Sequence, residues 1–133
     1  MHLLPHTRLS TFVLGALALL ATLPRPTQAA TKIWNNLSGG SWTNAANWTP
    51  AGIPGAADSV FITNNGTYQV SLDANATIVA LTLGGATGTQ TLSNYASRLT
   101  LTDASVVRNN GVLVLGGGTL SGPTVSPSRR AAN

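Results

Sequence analysis

The stretch Ile78-Val79-Ala80-Leu81-Thr82-Leu83-Gly84-Gly85 carries the reading of the fold. Its core, Leu81-Thr82-Leu83, returns as Leu99-Thr100-Leu101 and again as Leu113-Val114-Leu115, with Gly116-Gly117-Gly118 behind the last copy. A leucine at every second position puts two apolar side chains on one face of a strand. The copies start 18 and then 14 residues apart, close to the length of one coil of a β-solenoid. Shorter Thr-Leu pairs at Thr91-Leu92 and Thr119-Leu120 add to the pattern. In a parallel β-helix, leucines of successive coils would stack into one core, with Gly and Asn at the corners.

Working outward, Ser59–Thr63 is β-branched and aromatic, and Thr67–Leu72 alternates strictly, with Tyr68, Val70 and Leu72 on one side. Asn64-Asn65-Gly66 lies between them and recurs in kind at Asn109-Asn110-Gly111. Asn-Gly suits the positive φ of a tight hairpin turn. The sequence therefore predicts an all-β fold in one of two forms. The triplets favour a short parallel β-helix over residues 58–122, and the Asn-Gly turns leave an antiparallel β-sandwich as the alternative. A hairpin-containing cap leading into coils reconciles the two signals. No window carries the apolar spacing of an amphipathic helix.

Residues 30–57 have another character, rich in Trp, Asn, Ser and Gly. Trp34, Trp42 and Trp48 are the three tryptophans of the chain. Aromatic faces laid flat on a surface bind sugar rings, so Trp34, Trp42, Trp48 and Tyr68 are the candidate ligand-binding residues, with glycans as the candidate partner. The competing reading, which we favour, makes the rings a cap over the first coil, each large ring burying on the order of 150–250 Å².

At the N-terminus, Met1–Ser10 carries His2, His6 and Arg8 without an acidic residue, and an apolar run from Phe12 to Leu23 follows. Pro24 and Pro26 break that run, and Thr27-Gln28-Ala29 supplies small residues at the two positions that a signal peptidase reads. Residues 1–29 read as a signal peptide, cleaved after Ala29 or Ala30. The run is shorter than the roughly 20 residues that a spanning helix needs. The mature chain is thus expected to be secreted or held at the cell surface, with no transmembrane span. Residues 123–133 lack a strand pattern and are expected to be a disordered tail. The last coil then ends without an obvious cap, which predicts that the chain is the N-terminal part of a larger solenoid.

Composition excludes much chemistry. Seven Lys and Arg face three Asp, with no Glu and no Cys. Between leader and tail only Lys32, Arg98 and Arg108 balance Asp58, Asp73 and Asp103, so the folding part is neutral. Nucleic-acid binding needs clustered Lys or Arg, and that cluster is missing. Both histidines lie in the leader, which rules out a Ser-His-Asp or Cys-His centre and the usual zinc sites in the mature protein. No cofactor is implied. A polysaccharide-active enzyme would have to use Asp58, Asp73 or Asp103, and these read better as turn caps. Neither clustered carboxylates nor an Asp-x-Asp spacing offers a calcium loop. The glycosylation sequons at Asn36, Asn65 and Asn75 fit the Asn- and Thr-rich composition without further meaning.

Taken in order, Trp34-Asn35, Gly39-Gly40-Ser41-Trp42-Thr43, Ala46-Asn47-Trp48, Ile53-Pro54-Gly55 and Asp58-Ser59-Val60 form a series of short motifs. Followed by the Leu-Thr-Leu and Gly-Gly-Gly-Thr-Leu repeats, they resemble the opening of large bacterial β-strand-repeat proteins. These include autotransporter passenger domains and related secreted, adhesin-like proteins. The resemblance covers roughly residues 32–122. It implies a right-handed parallel β-helix carried outside the cell, in a structural or adhesive role at the surface, and it fixes no ligand.

Overall fold

The computed structural model describes residues 28–127. The expected leader, apart from Gln28 and Ala29, and the expected tail from residue 128 onward lie outside the described residues. What is described is a β-solenoid. Three walls are visited in turn by β4 (Ser59–Ile62), β5 (Tyr68–Ser71) and β6 (Ala76–Ile78), then by β7 (Ala80–Leu83), β8 (Gln90–Asn94) and β9 (Arg98–Leu101). A third turn follows in β10 (Ser105–Val107), β11 (Gly111–Leu115) and β12 (Thr119–Ser121), and β13 (Val125–Pro127) opens a fourth. Strands three apart in the series pair in parallel, which gives the stacks β4-β7-β10-β13, β5-β8-β11 and β6-β9-β12. The antiparallel sandwich is not formed.

The register corrects one part of the sequence reading. Ser59 pairs with Ala80, 21 residues on; Thr82 with Val106, 24 on; and Ser105 with Val125, 20 on. The coil is therefore longer than the spacing of the Leu-x-Leu copies. Leu81-Thr82-Leu83 lies on the first wall, Leu99-Thr100-Leu101 on the third and Leu113-Val114-Leu115 on the second, so the triplets do not stack on one another. Each instead stacks on less similar residues. Leu83 lies between Ile62 and Val107, Leu92 between Val70 and Leu113, and Leu99 between Ala76 and Leu120. An inward column asks only for an apolar side chain of suitable volume, so the true repeat is hidden by substitution.

The Asn-Asn-Gly segments also differ from expectation. β4 and β5 belong to different walls, so Asn64-Asn65-Gly66 turns a corner of the coil and does not close a hairpin. Gly66 takes φ +133°, and no non-glycine residue has a positive φ among the described residues. The corner of the next coil lies directly beneath. Its Gly88, at φ +78°, sits so close that an added Cβ would fall 2.3 Å from the carbonyl oxygen of Gly66. The third corner, Asn109-Asn110-Gly111, is tied to the middle one by Asn110 Nδ2, which donates to Gly85 O at 3.0 Å.

At the N-terminal end the regular coil changes. β1 (Thr31–Trp34) pairs in parallel with β4, and β2 (Gly40–Ser41) with β5. A single 3-10 turn, Ala45–Asn47, then leads into β3 (Trp48–Thr49), which returns antiparallel to β1 and closes the edge of the first wall. The Asn44 side chain caps that turn by accepting the Ala46 N–H. This antiparallel pairing lies in the cap and involves neither Asn-Gly segment. β13 is a further correction, since Val125–Pro127 pairs with β10 although those residues carry no alternating pattern. Backbone ladders need no particular side chain, and the strand above supplies the template.

Candidate functional site

Trp34, Trp42, Trp48 and Tyr68 come together as the sequence suggested, but inside the molecule. Their exposures are 0, 1, 1 and 5 %. Trp48 stands edge-on between the other two indoles, with ring centroids 5.0 Å from Trp34 and 4.8 Å from Trp42. Such T-shaped pairs add about 0.5–1.5 kcal/mol beyond area burial. The rings belong to the same core cluster as Val60, Ile62 and Val70 of the first coil. Their polar edges are turned onto backbone: Trp34 Nε1 donates to Asn36 O at 2.6 Å and Trp48 Nε1 to Trp42 O at 2.8 Å. The Trp42 indole N–H is buried without a partner. Tyr68 Oη donates to Asn64 O at 3.0 Å, and burial pushes its phenol above the ordinary range. No ring face is open for a sugar to stack on, so these residues form the lid of the core.

The lid is fastened by asparagines. Asn47, itself buried, accepts from Asn36 Nδ2 and donates through Nδ2 to Ser41 O, both at 3.0 Å. Asn64 Nδ2 of the first coil reaches Trp34 O at 2.8 Å and ties the coil to the cap. Lys32 points along an inward column, paired with Val60, and its Nζ donates to Pro50 O at 3.0 Å and Ala51 O at 3.3 Å. Its charge thereby closes the loop after β3. These polar closures were not legible in the sequence, because each partner lies 6 to 30 residues away with no local motif.

The three aspartates occupy corners. Asp58 Oδ2 accepts the Gly55 N–H at 2.8 Å, the turn-cap role expected of it. Asp103 Oδ1 accepts the Ala104 N–H at 2.7 Å. Val79 N–H donates to Asp58 O and Asp103 N–H to Val79 O, so Asp58 and Asp103 share one corner column with a rung between them. Their backbones are thus about two strand spacings apart, roughly 9.5 Å. Asp73 lies at a different corner. Its carboxylate takes hydrogen bonds from the Ser41 and Thr43 hydroxyls and from the Thr43 N–H, the last at 3.2 Å. Burial alone would raise its pKa, but these bonds outweigh it and hold the carboxyl below its ordinary value. Asp73 thereby fastens the second wall of the first coil to the cap. Among the described residues no three His, Cys, Asp or Glu gather as a metal site, and no helix is long and apolar enough to cross a membrane.

The two ends of the stack differ. At the far end β11, β12 and β13 are each the last strand of their wall among the described residues. Val112 is 41 % and Leu115 46 % exposed, and Leu113, Leu120 and Val125 are only partly covered. Leu115 stacks on the fully buried Asn94, so its exposure reflects the lack of a covering strand among the described residues. Gly111–Leu115 carries no charge and no proline, the features by which edge strands are usually protected. Comparison with protein-family models, with curated proteins and with solved structures finds no match for this chain.

Proposed function

We propose that the chain is a non-catalytic, exported structural module of a bacterial surface, adhesin-like in role, forming the opening coils of a larger β-solenoid. The observation that carries this reading is the inequality of the two ends. One is closed by β3 and three buried tryptophans; the other offers an uncharged five-residue strand and a half-covered core. A module built so accepts further rungs in one direction only. Its aspartates are spent on corners and on fastening the cap, which leaves the walls as a stiff polar surface rather than a reactive cleft. Export rests on the leader sequence.

The test has two arms. The full chain is produced in a bacterial host and its secreted form subjected to N-terminal sequencing, which should begin at Ala30 or Thr31. Separately, one more designed Leu-x-Leu coil is joined after Gly122, and its thermal unfolding should move to higher temperature because Leu113, Leu115 and Leu120 become covered. Retention of an unprocessed chain in the cytoplasm would sink the export reading. An added coil that leaves the midpoint unchanged would sink the larger solenoid.

A further inference from the structure

The two Asn-Gly corners face the same middle corner with opposite chemistry. Asn65 Oδ1 accepts two backbone N–H groups, from Ala86 at 3.0 Å and Thr87 at 3.1 Å. Asn110 approaches from the other side and donates, its Nδ2 reaching Gly85 O at 3.0 Å. Asn65 is exposed and Asn110 is half-buried. The following nitrogens differ as well. Gly66 N–H makes a long bond to Thr87 O, 3.2 Å, whereas Gly111 N–H is held by Arg108 O at 2.8 Å.

We propose that the Asn65-Gly66 corner is a self-modifying site, which converts its own side-chain amide to a carboxylate, and that Asn110-Gly111 is held unreactive by the fold. Glycine after asparagine has no Cβ to hinder attack by its nitrogen on the preceding side chain. Hydroxide removes the Gly66 amide proton, and the nitrogen attacks Asn65 Cγ. The negative charge collects on Oδ1, where the Ala86 and Thr87 N–H groups already point. Donors 2.7–3.1 Å from a developing oxyanion are the geometry that stabilises it. The Cγ–Nδ2 bond breaks, the nitrogen takes a proton from water and leaves as ammonia, and a cyclic imide remains. Water opens the imide at either carbonyl to give aspartate or its isomer, so one water is consumed and one ammonia released. The aspartate product keeps both acceptor bonds and strengthens them by its charge. At Asn110 the same change would set a carboxylate against the Gly85 carbonyl oxygen.

The purified chain is incubated in mildly alkaline buffer, folded and in denaturing urea, and the conversion of each asparagine is followed by peptide mass mapping. In urea the two sites should react at similar rates, since both are Asn-Asn-Gly. In the folded chain Asn65 should lead Asn110 by about tenfold or more, and should react faster than it does in urea. A folded chain in which Asn65 is no faster than Asn110, or is slower than in urea, overturns the proposal, because the N–H pair would then be a clamp and nothing else. Ala86→Pro removes one donor and should slow Asn65; if that variant does not fold, the folded-to-urea comparison on the unaltered chain decides.

Discussion

Trp48 donates its indole N–H to the backbone carbonyl of Trp42 at 2.8 Å while its ring stands edge-on to that same residue's indole. One contact thus fixes both the depth and the orientation of the ring that fills the end of the solenoid. The partner comes from the loop between β2 and β3, so the bond also sets where the antiparallel strand β3 can begin. Packing and backbone pairing are coupled here through a single side chain.

Trp48→Ala should therefore cost about 3–5 kcal/mol, the range for deleting a buried aromatic, and should release β3 with it. Chemical denaturation followed by tryptophan fluorescence measures the first, and amide hydrogen exchange at Asn35, whose N–H is held by Asn47 O at 2.9 Å, the second. On a glycan array, no tryptophan variant should lose binding while retaining the native unfolding midpoint. One that did would restore the rings as a sugar platform.

Leu92→Ala and Leu115→Ala test the register against the triplet pattern. Leu92 is fully buried between Val70 and Leu113, although its own segment is not one of the Leu-x-Leu copies. Its truncation should cost about 2–5 kcal/mol. Leu115 belongs to a copy but lies at the open end, and its truncation should stay within about 0.5 kcal/mol. Equilibrium urea unfolding distinguishes them, and a larger loss at Leu115 would contradict the observed stacking.

That pair of residues also marks how far the sequence could be read. Strand positions with strict alternation, such as Tyr68-Gln69-Val70, are legible because period two has one structural meaning. The coil length is not, because Val60-Phe61-Ile62 stacks on Leu81-Thr82-Leu83 without resembling it. The corners misled for a related reason: Asn-Gly reports a positive φ at Gly66 but not which strands the turn joins. The tryptophans were correctly grouped. Their role as a cap over the first coil is also legible; what no local pattern announces is β3, which completes the lid by folding back beside β1.

Asp73 should give the fold an acid limit. Its pKa is lowered in the folded chain, so its contribution to stability is complete above the unfolded value of about 3.8 and is lost as pH falls through the lower folded value. Unfolding midpoints measured from about pH 5 down to pH 2 should fall less steeply for Asp73→Asn than for the unaltered chain. Equal slopes would mean that the Ser41 and Thr43 bonds do not survive in solution.

Gly88 and Gly55 separate a required glycine from a permissive one. Gly88 holds φ +78°, and a Cβ there would lie 2.3 Å from Gly66 O and 2.4 Å from Gly66 C, both backbone atoms of the coil above. Neither can swing aside as a side chain would, so Gly88→Ala must push two coils apart or abandon the corner. It should cost at least about 2 kcal/mol, combining strain at positive φ with overpacking. Gly55 has no positive φ, and its nearest prospective neighbour is Asp58 Oδ2 at 3.8 Å, an ordinary contact. Gly55→Ala should therefore be neutral or slightly stabilising, by up to about 1 kcal/mol, through a less flexible unfolded chain. Thermal unfolding of the two variants side by side reads the difference. If both were tolerated equally, the close approach of successive corners would be wrong, and with it the vertical stacking of Gly66 over Gly88.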